Sequence, residues 1–447
     1  MRLALLVVLL LAAGCATADV AADTIAAAPI EATPTPEPTA TPAPPPPEPT
    51  VVPPPAVTVG AEVLADNSFA ALDGRRVGLI ANQTSLVRGE HLIDVLHNAP
   101  NVELTAVFAP EHGVRGNIEA GLLDDTVDFS TGVTIFSLYN ETRQPTPEML
   151  EDVDVLVFDL QDVGTRFYTF ISTMGLSMQS AATAGIPFVV LDRPNPIGDA
   201  GAAGFTLEPD QLSFIGQYPI PSSYGLTSGE LALAIKGERW LPGLDDLEIQ
   251  VVELAGWSRS MLWPATEREW VPPSPGLPTF ESALAYPGAV LFEATSISYG
   301  GGTLEPFSIF GAAWADGDAL AAELSSRNLP GVTFEAVTFT PMPIEGITED
   351  PRLNGETMFG VRYIITDAAA FDPVESGLHV LDAFNRQAAQ LGITDFVDRP
   401  QMLDLLAGTS RLRELVVAGV SADDIIAAWE PDAAAFDDTK RQYLLYD

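Results

Sequence analysis

The sequence predicts an α/β protein whose first folded part is a mostly parallel sheet with helices on both faces. Two observations carry this. Between Arg75 and Asn195, short runs rich in β-branched and aromatic residues and almost free of polar ones recur, with amphipathic stretches filling the gaps between them. Strands apolar on both faces, alternating with helical pattern, are what a parallel sheet covered on both sides requires.

In chain order, Arg2 and the apolar run Leu3–Ala13 have the charged start and short centre of a secretory signal, too short to span a bilayer. The run closes with Leu11-Ala12-Ala13-Gly14-Cys15, which resembles a bacterial lipoprotein signal. Residues 1–15 are therefore expected to be a signal peptide with Cys15 acylated as the membrane anchor; the alternative is a plain signal with an incidental cysteine. Residues 16–58, dominated from Pro29 to Thr58 by Pro, Thr, Ala and Glu, cannot bury apolar surface and read as an extended tether. The rest is long enough for two domains, expected at 59–204 and 205–447.

Strands are expected at Arg76–Ala81, Leu104–Phe108, Thr134–Leu138, Val153–Asp159 and Pro187–Leu191, with helical pattern at His91–His97, Pro147–Glu151 and Ile171–Ala184. The second part mixes strands, Val332–Thr340 and Phe359–Thr366, with helices at Gly377–Gln390, Pro400–Ala407 and Ala422–Trp429. Thr409 and Ser421 look like helix starts. This is an α+β composition.

Composition narrows the function. The 447 residues are 47% hydrophobic and carry 61 acidic against 21 basic side chains, a formal net charge of −40, with Lys236 and Lys440 the only lysines. Nucleic acid and anionic membrane surfaces would repel such a chain, so no nucleic-acid partner is expected and membrane contact only through the lipid. The single cysteine, Cys15, leaves the folded part without a disulfide or thiolate metal site.

Ligands of open parallel sheets bind outside the carboxyl ends of the strands, and these ends are polar here. Asn82-Gln83-Thr84 follows the first strand, Pro110-Glu111-His112-Gly113-Val114-Arg115-Gly116 the second, Gln161-Asp162-Val163-Gly164-Thr165-Arg166-Phe167-Tyr168 the fourth and Asp192-Arg193-Pro194-Asn195 the fifth. One polar loop means little; four at one rim indicate a site. No G-x-G-x-x-G follows the first strand, and no phosphate-binding loop, H-E-x-x-H or G-x-S-x-G occurs. His91, His97, His112 and His379 are not spaced as a metal set. Carboxylate chemistry without metal or organic cofactor remains.

The segments RVGLIANQTSL, FAPEHGVRGN, YNETRQPTPEML, DVLVFDLQDVGTRFYTFISTMG, PFVVLDRPNP, WVPPSPGLPT and YPGAVLFEATSISYGGGT, in this order and with the carboxyl-terminal LLAGTSRLRELVVAGVSADDIIAAWE, resemble the bacterial exo-β-N-acetylmuramidases, formerly a domain of unknown function. The resemblance spans Val59 to Asp447. It implies a Rossmann-like domain followed by a smaller α+β domain with the active site in the cleft between them, and an enzyme that releases N-acetylmuramic acid from the non-reducing end of peptidoglycan fragments in the cell envelope. Departures fall in the second half: Ser223-Tyr224 where the family has Arg-His, Gly276 for an asparagine, and Tyr299 and Gly301 where the family has an acid and an arginine. They leave a catalytically altered sugar-binding lipoprotein as the alternative.

Glycoside hydrolysis uses paired carboxyls. Glu111 is the expected acid, with an ion pair to Arg115 as its alternative role, and the second group is Glu293 or Asp162, the latter equally readable as a loop cap. Arg166 and Arg193 are expected to receive the lactyl carboxylate of muramic acid through paired hydrogen bonds. Tyr168 is expected to stack on the sugar or to anchor the following helix, and Asn82 and Asn195 to hold the N-acetyl group and hydroxyls. Gln83, His112, Arg115 and Asp192 complete the expected binding set.

Overall fold

The run Arg76–Ala81 places Val77, Leu79 and Ala81 in one apolar cluster and Ile80 in another, so both faces of this strand, β1, are covered. Around it a computed structural model, which describes residues 57–114 and 124–447, arranges β2 (Glu103–Ala109), β3 (Thr126–Val127), β4 (Thr134–Ser137), β5 (Val155–Asp159), β6 (Phe188–Leu191) and β7 (Ile249–Val252). The sheet order is β3-β4-β2-β1-β5-β6-β7. Every neighbouring pair is parallel except β3 with β4. Counted in chain order without the short β3, this is the doubly wound arrangement, its order reversing between β1 and β5.

Helices Gly60–Asp66 and Leu92–His97 close one face through Leu64, Leu92, Ile93 and Leu96; Phe170–Ala184 and Ser228–Gly237 close the other through Ile171, Met174, Leu231 and Ile235. Gly78 permits the close packing on this second face, since a Cβ there would sit 2.9 Å from the Phe108 ring.

Strand β7 lies beyond residue 204, so the chain returns to the large sheet after the expected domain boundary. A smaller α+β part follows. Strands β8 (Ile309–Ala312), β9 (Val332–Phe339) and β10 (Met358–Ile365) form an antiparallel sheet in the order β8-β10-β9. Helix Phe280–Ala289 crosses helix Pro373–Gln390 where Gly288 meets Gly377, and a Cβ on Gly377 would come within 2.6 Å of the Gly288 backbone. One apolar cluster runs from Ile80 and Phe158 through Phe292 and Phe310 to Phe384, so the two parts share a core. The last residues return to the large sheet, where Tyr446 Oη donates to Asp192 Oδ2 at 2.6 Å. No helix among the described residues is long and apolar enough to cross a membrane. The signal segment with Cys15, the tether through residue 56 and Arg115 lie outside the described residues.

Candidate active site

After β2 the chain turns sharply: Gly113 N donates to Pro110 O at 3.1 Å, and His112 takes a left-handed φ of 70°. The turn projects Glu111 into a cavity of about 410 Å3. On the side of the large sheet the walls are Glu111 and His112, Tyr139 after β4, and Phe167 to Phe170 after β5. The opposite wall includes Ser274, Gly276 and Leu277, Tyr286 from helix Phe280–Ala289, Glu293, the Gly301–Thr303 loop, Phe307 and Met402. Thr169 Oγ1 donates to Glu111 Oε2 at 2.9 Å.

Glu293 enters from the single turn of 3-10 helix, Val290–Ala294, that continues helix Phe280–Ala289. Burial pushes its carboxyl up to about 7, against the opposing pull of Arg399 and Arg352. Arg352 is otherwise engaged, donating to the carbonyls of Glu293 and Thr295 at 2.9 Å each and pairing with Asp398. Tyr286 lies in the field of both acids: burial first, then Glu293, Tyr168 and Glu111, hold its hydroxyl well above the ordinary tyrosine range, so it remains a neutral donor. Aromatic rings supply the apolar faces a sugar needs. Tyr286 meets Phe307 edge-on at 4.8 Å and Phe167 at 5.4 Å, while Tyr299 stacks on Phe307 at 4.9 Å. Tyr168, also on the wall, has a buried hydroxyl without a hydrogen-bond partner.

Other residues expected at the rim are turned elsewhere. Arg166 is fully enclosed and donates to the carbonyls of Phe205, Ile220 and Leu406 at 2.9, 2.9 and 2.6 Å; burial pulls its guanidinium down to about 9. Arg193 forms a two-pronged pair with Asp159 at 2.6 and 2.9 Å, both side chains buried. Neither is free to receive a lactyl carboxylate. Asp162 accepts from Gly164 N and from the Tyr224 hydroxyl instead of facing the cavity, and burial raises it to about 6. Asp192 accepts from Thr227 Oγ1, Gly229 N and Tyr446 Oη, fixing the start of helix Ser228–Gly237. Asn82 accepts from Thr84, and Asn195 accepts from Ile197 N and donates to Leu226 O. Gln83 donates to Pro272 O and Pro273 O, tying the end of β1 to the segment that becomes the opposite wall. At the switch point these residues bond to one another and to nearby backbone, leaving Asn82 Nδ2, Gln83 Oε1, Asp162 Oδ1 and Arg166 Nε buried without partners, and the cavity opens beside them.

Tyr139, Thr169, Tyr286 and Phe307 are site residues that the sequence reading passed over. Tyr139 was within reach of the strand-end rule, since it follows β4 closely; Tyr286 sits within a helix and carries no such signal. Of the departures, Gly276, Tyr299 and Gly301 line the cavity, whereas Tyr224 is buried against Asp162. Among the described residues no three His, Cys, Asp or Glu side chains converge as a metal site.

Two sequence profiles match: one described as exo-β-N-acetylmuramidase NamZ, N-terminal, over residues 77–281, and its C-terminal counterpart over residues 284–446. The chain is 41% identical over 401 residues to the peptidoglycan β-N-acetylmuramidase NamZ of Bacillus subtilis (strain 168), covering 88% of this chain and 92% of that one. Two crystal structures of DUF1343 family proteins from Bacteroides fragilis NCTC 9343 superpose with TM-scores of 0.81 and 0.72, at 38% and 32% identity, each covering 88% of this chain and 99% of its own.

Proposed function

The chain belongs to the exo-β-N-acetylmuramidase family, and from that premise we propose that it is an exo-acting glycosidase releasing N-acetylmuramic acid from the non-reducing end of peptidoglycan fragments. The observation that carries the chemistry is the placing of Glu111 and Glu293 in one aromatic-walled cavity. When two carboxyls share a site, the one whose surroundings hold the proton is suited to be the acid. Burial does this for Glu293. Glu111 accepts the Thr169 hydroxyl, which fixes the orientation of its carboxyl group. Glu293 therefore delivers the proton to the leaving oxygen as the glycosidic bond breaks, and the Glu111 carboxylate faces the carbon on which positive charge develops. These roles are the reverse of those the sequence alone favours. Water supplies the hydroxyl of the released sugar, and its remaining proton restores Glu293. Tyr286, neutral and within the field of both acids, supplies a hydrogen bond to the bound ring.

We propose further that Cys15 carries a lipid that holds the enzyme at the outer face of a membrane, with residues 16–58 as the tether; the support is the Leu11–Cys15 pattern and the proline-rich composition. The activity is tested by incubating the purified protein with a disaccharide bearing terminal N-acetylmuramic acid. Free N-acetylmuramic acid is the expected product, and binding without release contradicts the hydrolase reading.

A further inference from the structure

A substrate bearing a carboxylate approaches a chain of charge −40, so the site needs a local cation to receive it. Arg166 and Arg193 are taken up by carbonyls and by Asp159. Arg352 is taken up by Asp398 and the backbone around Glu293, and Arg399 is exposed to solvent. His112 lines the cavity and already has a partner.

Arg143 differs from all of these. Its guanidinium carbon lies 3.7 Å from the ring centre of Tyr139 and 4.9 Å from that of Phe214, in the notch between two rings whose centres are 6.0 Å apart. The side chain is half-buried, and Nη1 is buried without a hydrogen-bond partner. It makes no ion pair among the described residues. A desolvated donor of this kind carries a cost unless something outside the chain accepts from it. Tyr139 is itself a wall of the cavity and lies in the field of Glu111, which together with burial holds its hydroxyl at about 12. Ile215, next to Phe214, is a wall as well. The Tyr139 ring lies against one face of the guanidinium and the Phe214 ring flanks it from the side, which holds in place a planar fork of the kind that binds a carboxylate through two parallel hydrogen bonds.

We propose that Arg143 reads the acid group of the substrate, binding the lactyl carboxylate at the Tyr139 wall. The inference rests on the muramidase reading and gives that site its selectivity for an acidic sugar. A neutral sugar of the same shape leaves the Arg143 donor unpaired, which is the stronger form of discrimination.

The test is calorimetric binding of N-acetylmuramic acid and of its methyl ester, which keeps the shape and removes the charge, to the purified parent protein and to Arg143→Gln and Arg143→Lys. The parent should prefer the acid over the ester by roughly tenfold or more, the scale of a charge-assisted hydrogen bond. Arg143→Gln should abolish that preference while leaving ester binding unchanged, and Arg143→Lys should restore part of it. A preference for the acid that survives in Arg143→Gln overturns the inference. So does a loss of both ligands alike, which is the mark of a packing role. Release of N-acetylmuramic acid from a disaccharide by the parent is measured separately: selective, Arg143-dependent binding without release would overturn the hydrolase reading and leave this inference standing.

Discussion

Thr169 Oγ1 and Glu111 Oε2, 2.9 Å apart, join the loops that follow β5 and β2 across the end of β1, the strand between them. The contact spans the place where the strand order reverses, and it fixes the orientation of one of the two acids.

Thr169→Val removes the hydroxyl and keeps the shape. Without the contact Glu111 loses its fixed orientation, so kcat should fall by roughly tenfold or more with only a modest drop in melting temperature, while Thr169→Ser should retain most activity. Parent-like kcat in a folded Thr169→Val protein removes the contact from any positioning role.

Glu293 makes activity and stability fall together as pH rises. An acid that titrates at about 7 in the folded protein is deprotonated above that value, so kcat/KM should decline through neutral pH. Between about 4.5, its ordinary value, and about 7 the folded state holds a proton that the unfolded state has released. Stability contributed by this group is therefore complete below 4.5 and is lost by the time pH passes 7. Partial solvent access keeps the loss to about 1–2 kcal/mol, below the roughly 3 kcal/mol that the whole shift would give in a fully enclosed group. Glu293→Gln should flatten the stability curve over that range in urea melts at successive pH values. An equally steep curve in the variant assigns the slope to other groups.

Arg166 serves the fold. Its three carbonyl acceptors join the loop after β5 to residues 205–220 and to helix Pro400–Ala407. Arg166→Ala leaves them without donors and should cost about 3 kcal/mol or more, lowering turnover of acidic and neutral sugars alike. A selective loss toward the acidic sugar, with stability intact, would return Arg166 to the site.

Cys15→Ser should move the protein from the membrane fraction to the soluble one, because the lipid is the apolar anchor and a proline-rich tether has no affinity for acyl chains. A serine variant that still sediments with membranes contradicts the lipoprotein proposal.

Much of the fold was legible because β1, β2 and β5 are short runs with apolar residues on both faces, rich in β-branched and aromatic residues and too short for buried helices. Strand β7 was not, since Ile249–Val252 is a partly exposed sheet edge of four residues, one of them Gln250, and reads as loop. The site was legible only in part. A polar residue after a strand looks the same whether it faces a ligand, as Glu111 does, or a neighbouring loop, as Arg193 and Asp192 do; the difference lies in which partner the fold brings opposite, Asp159 for the one and Tyr446 for the other. Tyr286 was hidden for a related reason, because its helix carries it to the cavity from the second half of the chain, where no strand end points.

The most direct test of the account is release of N-acetylmuramic acid from a chromogenic muramide by the parent, Glu111→Gln and Glu293→Gln, each checked for folding and for binding of the free sugar. The carboxyl pair predicts that the parent turns over and that each glutamine variant binds the sugar yet loses about 10²-fold or more in kcat, the scale of a removed acid or base. A folded Glu111→Gln or Glu293→Gln protein that turns over within a few-fold of the parent would contradict it.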